Sequence, residues 1–363
     1  MATLLYSGRQ KASAGDERRS LDSSRAAGPV FVVGLWRSGT SLLYALLNQH
    51  PQVALLYEGE LPVLSGLFLG GRAKSDWLER WEFWNQAPSR HGLQVKSIPP
   101  GLDLCAATEA VCREYARHKH AAVWGCKSPA YHDELPFLAK TFPTARIIVI
   151  WRDLTSICDS IVRAGARSRY FSRPGILRRA LFGYRQLKLG CEWLLRAGVP
   201  LHQLHYEDLV SNPETEIRSI CNFLQVSFDP RMLALGSADR SAIYPDEHHT
   251  LVRRENIVSP ENRQDVLSPR IKAEIIRYIY LWKTETRGEW PRYPRSLPSD
   301  VRTPSRLQRF FDRSIYWLLR SYDSFKMFLY SFVPLRLLKT YRELRSHRRI
   351  GRRDKGRALE SQN

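Results

Sequence analysis

The first unbroken run of four apolar residues in the chain is Val30-Phe31-Val32-Val33, each β-branched or aromatic. Alternation is expected only where one face of a strand meets water, so such a run predicts a strand buried on both faces of a parallel sheet. Behind it, Ser41 to Asn48 carries apolar residues at helical spacing. His50-Pro51 ends that helix, because proline disfavours the helical region for the residue before it. The same signals recur at Arg146 to Trp151, a second buried strand between helical stretches at Leu135 to Phe142 and from Thr155 onward. Leu201 to Tyr206 adds a candidate strand, and Glu214 to Leu224 an amphipathic helix behind Asn212-Pro213. Strands alternating with helices predict an α/β fold in which helices cover both faces of a parallel sheet.

The patterning also divides the chain. Residues 1–27 are polar with little periodicity and read as a flexible leader, 28–295 as the folded domain, and 296–363 as a basic, aromatic helical tail. Within the tail, Ile315, Leu318, Leu319, Tyr322, Phe325, Leu329 and Phe332 recur every three or four positions, flanked by Arg313, Arg320 and Lys326. Two readings of this oily face stand open. It lies on an anionic membrane as a peripheral contact, or it packs on the main domain while the Arg-rich end is solvated.

Charge sharpens the picture without choosing a ligand. The chain carries 56 Lys and Arg against 36 Asp and Glu, a net +20, and from residue 301 onward 16 basic residues face 5 acidic ones. Attraction to polyanions follows, whether nucleotide, nucleic acid, anionic lipid or acidic glycan. A hydrophobic fraction of 43% excludes disorder over most of the length. The six cysteines form no C-x-x-C pair and no His grouping with zinc spacing, so they are expected as free thiols with no metal to bind. Charges at Arg9, Lys11, Asp16, Glu17, Arg18 and Arg19 stand where a signal peptide needs an apolar core, and no apolar run approaches the roughly 20 residues that span a bilayer. A cytoplasmic protein, peripheral on a membrane if the tail binds one, is the expectation.

The most informative segment joins the first strand to the first helix: Gly34-Leu35-Trp36-Arg37-Ser38-Gly39-Thr40-Ser41. Backbone amides at a helix start converge on an anion, and glycines let the chain approach closely, so this is a phosphate cradle. Its spacing is that of G-x-x-x-x-G-K-[ST], yet Thr40 stands where an ATP-binding loop places its lysine. Arg37, inside the loop, is the cation that remains. A P-loop kinase or NTPase is therefore the alternative reading, not the leading one.

The segment from Pro29 to Pro51, with Arg37-Ser38-Gly39-Thr40-Ser41-Leu42-Leu43 and trailing His50-Pro51, resembles the 5′-phosphosulfate loop of the sulfotransferase family. Similarity continues in family order at Trp124-Gly125-Cys126-Lys127-Ser128-Pro129, at Trp151-Arg152-Asp153 with Ser160, and at Tyr206-Glu207-Asp208-Leu209-Val210 with Asn212-Pro213. The likeness covers roughly residues 29 to 285 and is to the tyrosylprotein and bacterial carbohydrate-type branch, where arginine takes the loop position of lysine. It implies a three-layer, P-loop-like fold and metal-independent transfer of a sulfuryl group from 3′-phosphoadenosine 5′-phosphosulfate to an acceptor hydroxyl.

The resemblance also implies roles. Arg37, Ser38, Gly39, Thr40, Ser41 and Leu42 hold the phosphosulfate, Arg152 and Ser160 the 3′-phosphate, and Tyr206 the nucleotide. Lys127 offsets charge developing in the transfer, although Cys126 departs from the acidic residue often found before it. Glu58, at the family's interval after His50-Pro51, is the general base, with Glu60 as fallback and His132 as a weaker alternative. Arg253 and Arg254 are candidates for a late loop over the 3′-phosphate. Trp77, Trp81, Phe83 and Trp84 are expected to pack a helical subdomain instead of stacking on a sugar. The acceptor stays open among carbohydrate, glycolipid, peptide tyrosine and small alcohol, and nucleic acid is not expected as a partner. A catalytically inert membrane or nucleic-acid-binding relative is the remaining alternative.

Overall fold

The computed structural model describes residues 28–61, 75–93, 98–244, 252–257, 266–285 and 304–343. The leader and the Pro/Arg/Ser-rich linker predicted from sequence lie outside the described residues, as do residues 344–363.

Among the described residues five strands form one sheet: β1 (Val30–Val33), β2 (Val53–Tyr57), β3 (Val123–Lys127), β4 (Arg146–Trp151) and β5 (Leu201–His205), in the order β2-β3-β1-β4-β5. Every pairing is parallel, with Val30 opposite Gly125 on one side and Arg146 on the other. Alternate residues of β1, β2, β3 and β4 enter two separate cores, while β5 at the sheet edge is only partly buried. Phe31, Val33, Leu56, Trp124, Ile147 and Val149 belong to one, while Val30, Val32, Leu55, Val123, Ile148 and Ile150 belong to the other. Burial on both faces is why these runs show no alternation. Val53–Tyr57 is a strand that the periodicity does not single out, because a short continuous apolar run does not distinguish strand from buried helix. Gly125 is required where it stands, since a Cβ there would meet the Val30 carbonyl oxygen at 1.9 Å.

Helix α1 (Thr40–Leu47) covers the second face together with α2 (Tyr206–Ser211) and α3 (Pro213–Leu224). The first face is covered by helices Leu104–His118, Leu135–Thr141, Leu154–Gly165 and Ile176–Arg196. The result is a three-layer α/β sandwich. Chain order runs from β1 to β2 and β3 on one side, then to β4 and β5 on the other. The crevice beyond the carboxyl ends of β1 and β4 is thus a topological switch point, where open α/β sheets take their ligands.

The tail supplies one long helix, Arg306–Phe332, whose start is capped by Ser305 Oγ accepting from the Gln308 amide. Its inward face is largely polar, with the Tyr316 ring and Met327 packed against the first core. Arg178 Nε pairs with buried Asp312 at 3.1 Å, Tyr316 donates to Asp133 at 3.1 Å, and Arg320 bridges Asp133 and Glu134 at 2.7 and 2.5 Å. Tyr278 also donates to Asp312, and Arg179 pairs with Asp323. Arg80 reaches in from helix Trp77–Asn85 to donate to the Tyr330 and Val333 carbonyls. The oily stripe does not pack on the main domain: Leu318, Tyr322, Phe325, Leu329 and Phe332 are exposed, and only Ile315 and Leu319 are half-buried. Ion pairs and tyrosine hydroxyls dock the opposite face, which the apolar pattern alone does not anticipate.

Candidate active site

The loop after β1 turns twice through the left-handed region, at Arg37 (φ 69°) and Gly39 (φ 104°). Gly39 admits no side chain, because a Cβ would lie 2.4 Å from Cδ2 of Tyr206, whose ring rests on the turn. Thr40 then starts α1 with no side-chain cap and no acidic residue in its first turn, so its amides are available to an anion. Ser38 Oγ is buried there with no partner among the described residues. An orphaned hydroxyl of this kind asks for a ligand oxygen.

Three cationic and aromatic groups close the loop on its β4 side. Arg37 Nε donates to Ser160 Oγ at 3.0 Å, and Arg152 Nη1 donates to the Arg37 carbonyl at 2.9 Å. The Arg152 guanidinium lies 4.4 Å from the centre of the Tyr206 ring, and its buried Nε has no partner among the described residues. Sequence reasoning paired Ser160 with Arg152; the geometry gives Ser160 to Arg37 and brings all three residues into one cluster. Asp153 is spent on its own helix, accepting from the Ser156 amide at 2.6 Å, and is not poised as a metal-binding acid. The two orphaned donors and the uncapped helix start suit a nucleotide that carries phosphates at two positions.

On the β3 side, Lys127 ends its strand with only 1% of its surface exposed. Its Nζ lies 2.8 Å from Glu58 Oε1, 3.3 Å from Ser41 Oγ and 4.1 Å from the centre of the Tyr57 ring. Ser41 and Tyr57 share a hydrogen bond of 2.8 Å, which ties the phosphate loop to the same cluster. Burial pushes the Lys127 ammonium below its usual range, and the adjacent Glu58 carboxylate opposes that fall. Glu60 is half-buried at the cleft wall and accepts from Ser128 Oγ at 2.7 Å; burial, then the Glu58 charge, raises its pKa to about 7.

Glu58 and Glu60 both adopt positive φ, 52° and 54°, a costly conformation for non-glycine residues that surrounding bonds must hold. The clamp comes from helix Trp77–Asn85. Trp81 Nε1 donates to the Gly59 carbonyl at 2.6 Å, and Asn85 Nδ2 donates to the carbonyls of Glu58 and Gly59, each at 2.9 Å. Trp77 and Trp81 are both buried and stack on each other, so they pack as expected. His132 Nδ1 bonds the Pro129 carbonyl at 2.8 Å, and burial holds its ring below the usual pKa, leaving it neutral.

A cleft of about 540 Å³ runs between these clusters, lined by the loop, Glu58, Glu60, Lys127, Arg152 and Tyr206. Its far wall is made by Trp36, Tyr170, Phe171, Arg173 and Arg179, and by Arg320, Asp323, Ser324, Lys326 and Met327 of helix Arg306–Phe332. That helical wall was not foreseen, and neither were Tyr57, Ser128 and Asn85. Arg253 and Arg254 do not line the cleft: both are exposed, their carbonyls accept from Arg240, and only neighbouring Val252 reaches inward. Among the described residues no group of three His, Cys, Asp or Glu is placed to hold a metal, and all six cysteines are free.

A model of the sulfotransferase family matches residues 29–230, more than half of the chain, and the chain belongs to that family. Protein-tyrosine sulfotransferase A of Caenorhabditis elegans is 26% identical over 229 residues, covering 59% of this chain and 54% of that protein. The chain thus spans about half the length of that relative. A putative protein-tyrosine sulfotransferase of Caenorhabditis briggsae is 24% identical over 259 residues, covering 68% of this chain and 77% of the relative. Among solved structures, the sulfotransferase domain from the curacin biosynthetic pathway shares the fold, with 18% identity, a TM-score of 0.50, and coverage of 70% of this chain and 97% of that one.

Proposed function

We propose that this chain transfers a sulfuryl group from 3′-phosphoadenosine 5′-phosphosulfate to an acceptor hydroxyl. The contact that carries the reading is the one between Lys127 and Glu58, which sets an ammonium and a carboxylate side by side next to the phosphate loop. When bound, the donor supplies an electrophilic sulfur and leaves 3′,5′-ADP behind. The α1 amides, Ser38 and Arg37 hold its phosphosulfate, while Arg152 and Ser160 hold the 3′-phosphate that distinguishes it from ordinary nucleotides. Glu58 takes the proton of the acceptor hydroxyl, a contribution of about 10² to 10⁴ in rate. Lys127 meets the negative charge that develops, in a buried setting where such compensation counts for more than in water.

The acceptor is a hydroxyl borne by a carbohydrate or a lipid, or by tyrosine, the residue named in the two nematode relatives. Thermal melting tests the donor half. The expected result is strong stabilisation by 3′,5′-ADP and much less by ADP or by ATP with Mg²⁺. Equal stabilisation by ATP with Mg²⁺ would point to a kinase or NTPase. Incubation with ³⁵S-labelled donor and fractionated cell extract then identifies the acceptor class.

A further inference from the structure

Helix Arg306–Phe332 has two opposed faces with different chemistry. At 100° per residue, Asp312, Tyr316, Arg320, Asp323 and Met327 share the inward face, and three of these, Arg320, Asp323 and Met327, line the cleft. Leu307, Phe311, Leu318, Tyr322, Phe325 and Leu329 lie on the opposite side, from 48% exposed at Leu329 to 69% at Leu318. From Leu307 to Leu329 this is an apolar strip close to 33 Å long, at about 1.5 Å per residue. An apolar patch of this size on a folded domain marks a binding surface.

The charges beside it say what it binds. The helix contains two carboxylates, Asp312 and Asp323, and both are turned to the protein, paired with Arg178 and Arg179. The strip is bordered instead by exposed Arg306 and Arg313 on one side and, on the other, by half-buried Lys326 at the rim of the cleft. Beyond it, residues 335–343 form a further helical stretch with exposed Leu337, Tyr341, Arg336 and Lys339. A second copy of this chain would bring like charges together along both borders. The chain's own carboxyl-terminal segment, with Arg345, Arg348, Arg349, Arg352 and Arg353, has the same sign and does not complement it either. Aromatic rings with cationic borders match the boundary between anionic headgroups and acyl chains. No helix among the described residues is long and apolar enough to cross a membrane, so the helix lies along the surface.

We propose that the outward face of helix Arg306–Phe332 docks on an anionic lipid bilayer and so holds the cleft, whose wall the same helix supplies, at the bilayer surface. This deepens the proposed function by naming where the acceptor is met, and to that extent it rests on that reading.

Flotation of the full-length chain with phosphatidylcholine vesicles, with and without phosphatidylglycerol, tests it. The chain is expected to float with the phosphatidylglycerol vesicles, less at raised salt, and poorly with phosphatidylcholine alone. The double variant Leu318→Glu, Phe325→Glu should float roughly tenfold less or worse, while its thermal stabilisation by 3′,5′-ADP stays unchanged, which shows that it folds. A wild-type chain that stays unbound overturns the proposal, as does a double variant that floats like the wild type. A wild-type dimer that never floats, and that the double substitution converts to monomer, assigns the face to a second copy and also overturns it. If flotation behaves as expected but 3′,5′-ADP does not stabilise the chain, the sulfotransferase reading fails and the docking surface stands.

Discussion

Trp81 donates its indole N–H to the carbonyl of Gly59 at 2.6 Å, between two glutamates that both hold left-handed backbone. The bond joins a packing residue to the proposed base: fixing Gly59 fixes the direction in which Glu58 leaves the chain. Trp81→Phe keeps most of the buried ring and deletes the donor. It should cost about 1–3 kcal/mol of stability and, by misplacing Glu58, lower kcat by about tenfold or more. The KM for the donor should stay near the wild-type value, because the phosphate loop is untouched. Melting curves and steady-state kinetics check this; a raised donor KM with normal kcat would refute it.

Glu58 and Lys127 predict an asymmetry. Removing the carboxylate leaves a buried ammonium without its main compensation, whereas removing the ammonium leaves a carboxylate that is 17% exposed and reaches water. Glu58→Gln should therefore lower stability by about 1–3 kcal/mol, and Lys127→Met should lower it less or raise it. Both should reduce turnover by about 10² to 10⁴. The pH dependence follows from the lysine's depressed pKa. In Glu58→Gln the unfolded chain binds the lysine proton more tightly than the folded one, so the stability deficit shrinks as pH rises toward the ordinary lysine value. A deficit independent of pH would sink this account.

Much of this arrangement is legible in the sequence, for a physical reason. The phosphate loop, Lys127 and Arg152 sit at strand ends, and strands buried on both faces leave continuous apolar runs at Val30–Val33 and Arg146–Trp151 that locate those ends. Glu58 is singled out as a candidate only by its interval after His50-Pro51, because Val53–Tyr57 carries no period that marks it as a strand. The clamp by Trp81 and Asn85 joins residues 22 and 27 positions from the carbonyls they hold, and no local pattern encodes such a contact. For the carboxyl-terminal helix the periodicity predicts an oily side but not which side docks. Apolar periodicity reports an oily side, whereas Asp312, Tyr316 and Arg320 dock the other side through bonds that periodicity does not register.

Glu60 gives a second pH signature. Its carboxyl is held neutral up to about pH 7, by burial first and then by the Glu58 charge. Between its ordinary range and about pH 7 the folded chain binds this proton more tightly than the unfolded one, so stability falls as pH rises through that window. Glu60→Gln should remove this slope: below pH 4.5 the two proteins melt alike, and by pH 7 the variant gains up to ~3 kcal/mol on the wild type. Thermal melts across that range decide it, and parallel curves would refute the assignment.

Arg320 links the carboxyl-terminal helix to the short 3₁₀ segment after β3, through Asp133 at 2.7 Å and Glu134 at 2.5 Å. Replacing it with methionine keeps much of the aliphatic packing and leaves two adjacent carboxylates without their shared cation. Docking of the helix should weaken by about 1–3 kcal/mol, because the partners are largely enclosed. The sheet and phosphate loop do not depend on this contact, so amides of Arg306–Phe332 should exchange faster with solvent while those of β1 and β4 keep their protection. Stabilisation by 3′,5′-ADP should be unchanged. Adding Asp133→Asn to Arg320→Met should recover part of the loss, since it removes one of the stranded charges, and a double-mutant cycle measures that coupling. Additive effects would mean that the helix is held by its other contacts, Asp312 with Arg178 and Asp323 with Arg179, and that Arg320 serves the cleft alone.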